Sequence, residues 1–224
     1  MSTNWRRWRM RSGAFLLVAF LAGCSAAPTS PSGQPPTLFS LSLRSDAWQS
    51  IATPDPYPLS NDAGADLVFE FPVDGSMHYL FTPSTVTNVR GTVVVQLRIT
   101  TEGPVLFNSL DPLTPSCSIP PSVRPFFWAN QNGGGAFDRW WSNPQSYPLA
   151  AGPATISVPL SPEHWSSVNG RRGSEDAETR FGFAKATQNM SRLGLTFGGG
   201  CSFGHGISVL NGGAEFRLTD YSIR

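Results

Sequence analysis

The stretch FFWANQNGGGAFDRWWSNPQSYP, from Phe126 to Pro148, holds the densest chemistry in the chain. Phe126, Phe127, Trp128, Phe137, Trp140, Trp141 and Tyr147 are interleaved there with Asn130, Gln131, Asn132, Asp138, Arg139 and Asn143. Flat aromatic faces beside planar amides and a charged pair are what a sugar ring requires. Its C–H bonds stack on the ring while its hydroxyls meet the polar groups. Trp128, Asn130, Gln131, Asp138, Arg139, Trp140 and Trp141 are therefore the candidate ligand-binding residues. The competing reading is packing. If the segment is a strand, successive side chains alternate between faces. One of Trp140 and Trp141 is then structural and its neighbour exposed or half-exposed.

Other reactive patterns are weaker. Gly200-Cys201-Ser202-Phe203-Gly204 matches G-x-S-x-G. The nucleophile elbow needs a strand-to-helix turn with an acid and a histidine supplied later, and here more glycines follow. No Gly-Lys-Ser/Thr completes a phosphate loop. His78, His164 and His205 are scattered without metal-ligand spacing. No cofactor is expected beyond a structural calcium held by Asp55, Asp62 and Asp66, in a loop whose default reading is simply solvated acid. Glycosidase chemistry needs two facing carboxyls. Glu70, Glu102, Asp138, Glu163 and Glu215 are available, but spacing alone does not pair residues from different strands.

The elements that position these groups read as strands. Leu67, Phe69 and Phe71 share one side of DLVFEF, and Val93, Val95, Leu97 and Ile99 one side of GTVVVQLRIT. Ile156, Val158 and Leu160 repeat the pattern, as do Leu193, Leu195 and Phe197. AEFRLTDYSI alternates through Phe216 and Leu218, then changes parity to Tyr221 and Ile223, which predicts a bulge. One short helix is expected over roughly residues 177–189, after Ser174 and a run of acids. The Ser-Pro-Glu start of LSPEHWSSVNGRRG predicts a helical turn, with Trp165 as a lid over the core and Arg171-Arg172 as a solvated tip. With 22 glycines and 20 prolines, the composition suits many turns between short strands. An all-β antiparallel sandwich or jelly roll with one short helix follows.

The N-terminal region has a different grammar. Arg6, Arg7, Arg9 and Arg11 precede the apolar run GAFLLVAFLAG, which is too short for a comfortable membrane span and has the form of a signal peptide. It ends in Leu21-Ala22-Gly23-Cys24, which resembles the lipobox of bacterial lipoproteins. The resemblance implies cleavage before Cys24 and a diacylglycerol on its sulfur, usually with a further palmitate-type chain on the new amino group. Multiple acyl chains give stable anchoring where one would be marginal. Ser25 resembles the default for the outer membrane, and general secretion fits better than the twin-arginine route. Residues 1–23 are thus read as signal peptide, 24–36 as a Pro/Ser-rich tether and 37–224 as a single β-sandwich domain. Losing the signal peptide removes four of the sixteen basic residues, leaving twelve against fifteen acidic ones, a net charge of −3. That balance, without a basic stripe, argues against nucleic acid as a partner.

Export places Cys117 and Cys201 in an oxidising compartment, where an even pair reads as a disulfide, worth at most about 4–5 kcal/mol. Two buried free thiols are the alternative. The glycines of GGGCSFGHG would then let a turn pass close to the Cys117 segment.

From Phe183 to Arg224 the chain resembles the closing segment of galactose-binding-like jelly rolls and carbohydrate-binding modules, carried by LGLTFGG, GHG and AEFRLTDYSI. It also resembles bacterial envelope proteins sharing the RWW, PEHWSSV and TFGGGC-x-FGHG patterns. The resemblance implies a fold, not a set of ligand residues. The expectation is an outer-membrane lipoprotein with a non-catalytic, carbohydrate-binding sandwich. Its rivals are an envelope protein-interaction module and a carbohydrate-active enzyme with an undetected carboxylate pair. A glycan binder should present two or more coplanar exposed aromatics from residues 126–148 in a polar cleft, an interaction module a flat apolar patch, and an enzyme a deep cleft with facing carboxyls.

Overall fold

Period-2 alternation builds two antiparallel sheets that bury their apolar faces against each other. The computed structural model describes residues 38–111, 118–130, 134–143, 146–200 and 204–224. Cys24, Cys117, Gln131, Asn132, Cys201, Ser202 and the tether lie outside the described residues. In chain order the strands are β1 (Phe39–Ser40), β2 (Gln49–Thr53), β3 (Ser60–Asn61), β4 (Leu67–Glu70) and β5 (Ser76–Val86). Then come β6 (Thr92–Glu102), β7 (Phe107–Ser109), β8 (Ser122–Trp128), β9 (Arg139–Ser142) and β10 (Tyr147–Pro148). Finally, β11 (Gly152–Pro159), β12 (Trp165–Ser167), β13 (Met190–Gly198), β14 (Ile207–Val209) and β15 (Gly213–Ile223) flank helix α1 (Ala177–Thr187).

Among the described residues the smaller sheet runs β11-β6-β15-β4-β3, with β1 also on β15. The larger runs β12-β9-β8-β13-β5-β14-β7, with β10 on β8 and β2 on β5. This is an all-β antiparallel sandwich with one short helix, as the sequence predicts. Val93, Val95, Leu97, Ile99, Ile156, Phe216 and Leu218 face Leu80, Phe127, Trp140, Leu193, Leu195 and Phe197 in one core. The predicted bulge in the last strand falls between Leu218 and Asp220, and it returns Tyr221 and Ile223 to the core face.

Helix α1 starts where a capping box allows it. The Asp176 side chain accepts from the Thr179 N–H at 2.9 Å, and the Thr179 hydroxyl accepts from the Asp176 N–H at 3.1 Å. Thr179, Gly182, Phe183 and Ala186 form its buried face, at helical spacing. The turn after β11 is the 3-10 segment Pro162–His164, and Trp165 behind it is fully buried, its indole N–H donating to the Pro159 carbonyl at 2.8 Å. Arg171 is more than a solvated tip. It pairs with Asp176 and with Glu178 at the helix N-terminus, and its guanidinium lies 5.8 Å from the centre of the Phe137 ring.

Candidate functional site

The structure divides the predicted ligand residues among three places. Trp140 is in the inter-sheet core, fully buried, with its indole N–H donating to the Phe137 carbonyl at 2.8 Å and its ring stacked on Phe137. Trp128, Arg139 and Trp141 point the other way, onto the outward face of the larger sheet. Asn130 and Asp138 line a cleft at the end of β8. Alternation thus separates Trp140 from Trp141 as expected. The expectations that one of this pair is exposed or half-exposed, and that a glycan cleft presents coplanar exposed aromatics from residues 126–148, are corrected. Trp128, Trp140 and Trp141 are all buried, and Trp141, 2% exposed, packs in a second aromatic cluster with Tyr79, Phe81, Phe126 and Trp128.

Strand register explains that cluster. Phe126 on β8 is opposite Trp141 on β9 and Gly194 on β13, and Gly194 is opposite Phe81 on β5. A Cβ on Gly194 would come 2.1 Å from the Leu80 carbonyl oxygen and 2.9 Å from the Phe81 Cβ, so only glycine lets the rings close over this row. One row along, Arg139 on β9, Trp128 on β8 and Arg192 on β13 are aligned. The Arg192 guanidinium lies 4.5 Å from the Trp128 ring centre and 4.8 Å from that of Phe81. Arg139 lies 5.9 Å from the ring centres of both Trp128 and Trp141. In the third row Arg124 is opposite Thr196, and Thr196 opposite Tyr79.

This setting moves the charges. Burial pushes the Arg124 guanidinium down to about 10, which leaves it protonated at neutral pH, and burial also lowers Arg192. Burial raises the Tyr79 hydroxyl, and the Arg139 charge opposes that rise. The indole N–H of Trp128 and the Nε of Arg139 are buried donors without an acceptor among the described residues.

The cleft, about 800 Å³, lies between α1, the end of β5 and the loop joining β8 to β9. Ser84, Thr85, Thr87 and Ser191 bring hydroxyls, Asn130 and Asn189 amides, Asp138 a carboxylate and Lys185 an ammonium. Phe137 and Phe181 bring rings, and Phe181 is 72% exposed. The helix approaches the loop closely because residue 182 is glycine: a Cβ there would sit 2.5 Å from the Phe137 ring. The Asp138 carboxylate accepts from the Gly135 N–H at 2.7 Å, which fixes the turn. Lys185 is the chain's only lysine, a compositional oddity that marks the site. Phe181, Asn189 and the β5 hydroxyls carry no local signal, since they join the cleft only by folding.

The other sequence candidates fall elsewhere. Asp62 and Asp66 sit beside the Arg217 guanidinium, which Glu215 also contacts at 2.9 Å. Among the described residues no group of three His, Cys, Asp or Glu is arranged to hold a metal. Glu70 and Glu215 are directly opposite in register on the smaller sheet, while the cleft's described lining supplies one carboxylate, Asp138. Sequence reading missed a serine–histidine pair on β5: Ser76 Oγ and His78 Nε2 are 2.6 Å apart, and His78 Nδ1 is 2.9 Å from the Gly204 carbonyl. Its only sequence signal is S-x-H, and Ser76 is buried.

The described residues form an antiparallel β-sandwich with one α-helix. No protein-family profile matches the chain, and no curated protein matches it. Among solved structures it is similar to CtCBM11, known from a solution structure with dynamics and binding studies. The identity is 11%, over 79% of this chain and 87% of that one, with a TM-score of 0.37. The sandwich assignment rests on the two sheets themselves.

Proposed function

We propose that this is a lipid-anchored envelope protein whose sandwich binds carbohydrate in the cleft beside α1 without catalysing its cleavage. The observation that carries the reading is the exposed Phe181 ring on the rim of a cleft otherwise lined by hydroxyls, amides, Asp138 and Lys185. A flat apolar surface next to convergent hydrogen-bonding groups is the combination a pyranose ring recognises. A single carboxylate in the described lining supports binding over hydrolysis, which uses two. The test is titration of the purified full-length chain with a panel of envelope and plant polysaccharides. Phe181→Ala and Asp138→Asn should each weaken saturable binding about tenfold, the loss of one good contact. A folded protein that binds none of the panel sinks the reading.

The anchor part of the proposal rests on the Leu21–Cys24 box and the cationic, apolar leader before it. Acylation would place the domain on a membrane surface, with the outer membrane indicated by Ser25. Mass analysis of the mature N-terminus should find Cys24 acylated, and an unmodified cysteine overturns it. A Cys117–Cys201 disulfide belongs to the same reading. The Gly200 N–H donates to the Ile119 carbonyl at 2.7 Å, which brings the chain next to each cysteine together. Peptide maps with and without reductant check it.

An envelope protein-interaction module is the second reading. Leu106 and Leu210 are exposed side by side at one end of the β7–β14 edge, where the Leu210 N–H donates to the Leu106 carbonyl, and Leu110 is exposed at its other end. Cross-linking from this edge in intact cells distinguishes it.

A further inference from the structure

Two arginines on the larger sheet's outward face have rings beneath them and no ion pair with a described residue. Arg139, Trp128 and Arg192 occupy one row across β9, β8 and β13, with neighbouring strands about 4.8 Å apart. Both guanidinium groups are held over the Trp128 ring. A guanidinium placed on an aromatic face keeps its N–H edge for a planar oxyanion. Neither arginine has an ion pair with a described residue, although Arg44, Arg171, Arg217 and Arg224 all do. Strands β5, β8, β9 and β13 contain no Asp or Glu at all, in a chain whose net charge after Cys24 is −3.

A second observation points outward as well. Trp128 is 8% exposed, and among the described residues its indole N–H has no acceptor, nor has the buried Nε of Arg139 in the same row. Buried donors are almost always satisfied. Two such donors in one row, beside two guanidinium groups without an ion pair to a described residue, lack a single thing, an acceptor carrying negative charge.

We propose that the Arg139–Trp128–Arg192 row binds the oxyanion of an acidic glycan, a carboxylate, sulfate or phosphate, with the two arginines as clamps. The carrier rests on the carbohydrate reading above, and the site itself on the row. The two surfaces adjoin. Asn130, two residues beyond Trp128, lines the cleft, as does Ser191, whose hydroxyl donates to the Trp128 carbonyl at 3.1 Å and which precedes Arg192. A polymer seated against Phe181 and Asp138 in the cleft therefore continues onto the arginine row, where an acidic substituent meets charge-assisted donors.

The experiment uses the full-length chain and three probes: an oligogalacturonate, its methyl-esterified counterpart and sodium sulfate. Binding is read by calorimetry and by tryptophan fluorescence, with near-ultraviolet circular dichroism confirming the fold of every variant. The acidic oligomer should bind at least about tenfold tighter than the ester, the value of a hydrogen-bonded charge. Arg139→Gln combined with Arg192→Gln should erase that difference, and Arg192→Lys, which keeps the charge and loses the fork, should reduce it. Asp138→Asn in the cleft should weaken both oligomers alike and leave their ratio unchanged. Equal affinities for acid and ester, or a ratio that survives the folded double variant, overturn the proposal. If neither oligomer binds but sulfate changes the fluorescence of the wild-type chain alone, the oxyanion row stands and the glycan carrier falls. If no probe binds, both fall.

Discussion

On the larger sheet, the outward positions of β8, β9 and β13 include Arg124, Phe126, Trp128, Arg139, Trp141 and Arg192. On the smaller sheet, those of β4, β6 and β15 include Glu70, Arg98, Thr100, Glu102, Glu215 and Arg217. The same alternation builds both faces, and the difference lies in how each settles its charge. The smaller sheet settles part of it internally: Arg217 contacts Glu215, Asp62 and Asp66, and Arg224 contacts Asp220 at 3.0 Å. The larger sheet lays Arg139 and Arg192 on rings, and neither has an ion pair with a described residue. A face that satisfies itself can be plain surface. A face that does not is the one the proposed acidic glycan would complete.

The sharpest test of the comparison sets adjacent tryptophans against each other. Trp140→Ala empties a fully buried core position packed on Phe137 and Phe183, and should cost about 4 kcal/mol in urea unfolding. Trp141→Ala removes a ring from the outer cluster, beneath arginine and loop, and should cost about 2 kcal/mol because side chains there can resettle. Equal losses would make the outer cluster a second core and remove the distinction between the faces.

Smaller effects should follow from the arginines. Arg217→Ala leaves three carboxylates close together, and should destabilise by about 1–2 kcal/mol, less at high salt. Arg192→Ala loses only its contacts with Phe81 and Trp128, and should cost about 0.5–1 kcal/mol with little response to salt. Urea midpoints at low and high ionic strength measure both. A salt-sensitive Arg192 would reveal an anionic partner within the protein and break the contrast.

Much of this architecture was legible in the sequence because one buried face forces alternation, and a change of parity can only be a bulge. Leu218 and Asp220 show it, as does the opposition of Trp140 and Trp141. Alternation names a face, however, and says nothing of what covers it. That is why one of the two tryptophans is expected in the open, while Trp141 on the outward face lies under Arg139. The cleft was half legible. Asn130 and Asp138 came from the aromatic segment, whereas Phe181, Lys185 and Asn189 arrive on a helix and Ser84 to Thr87 on the end of β5. No local pattern links those three segments, and the contact of Gly182 with Phe137 that brings helix and loop together is a property of the fold alone.

The smallest expected effect is also the most specific to the self-satisfied face. Glu70 lies directly opposite Glu215, and its carboxyl is raised above the usual range, first by burial and then by the charges of Glu215 and Glu102. A carboxyl raised on folding binds its proton more tightly in the folded state, so its ionised form weakens the fold. The penalty is fully present at neutral pH, where both states are ionised. It fades as pH falls through the folded value, and is gone below the unfolded value of about 4.3. Glu70→Gln should therefore stabilise the protein by roughly 0.5 kcal/mol at pH 7, a modest figure because the side chain is exposed and solvent screens it. The gain should vanish near pH 4. A gain of the same size at both pH values would assign the effect to packing, and the smaller sheet would then owe its balance to something other than the paired charges of Arg217 and Glu215.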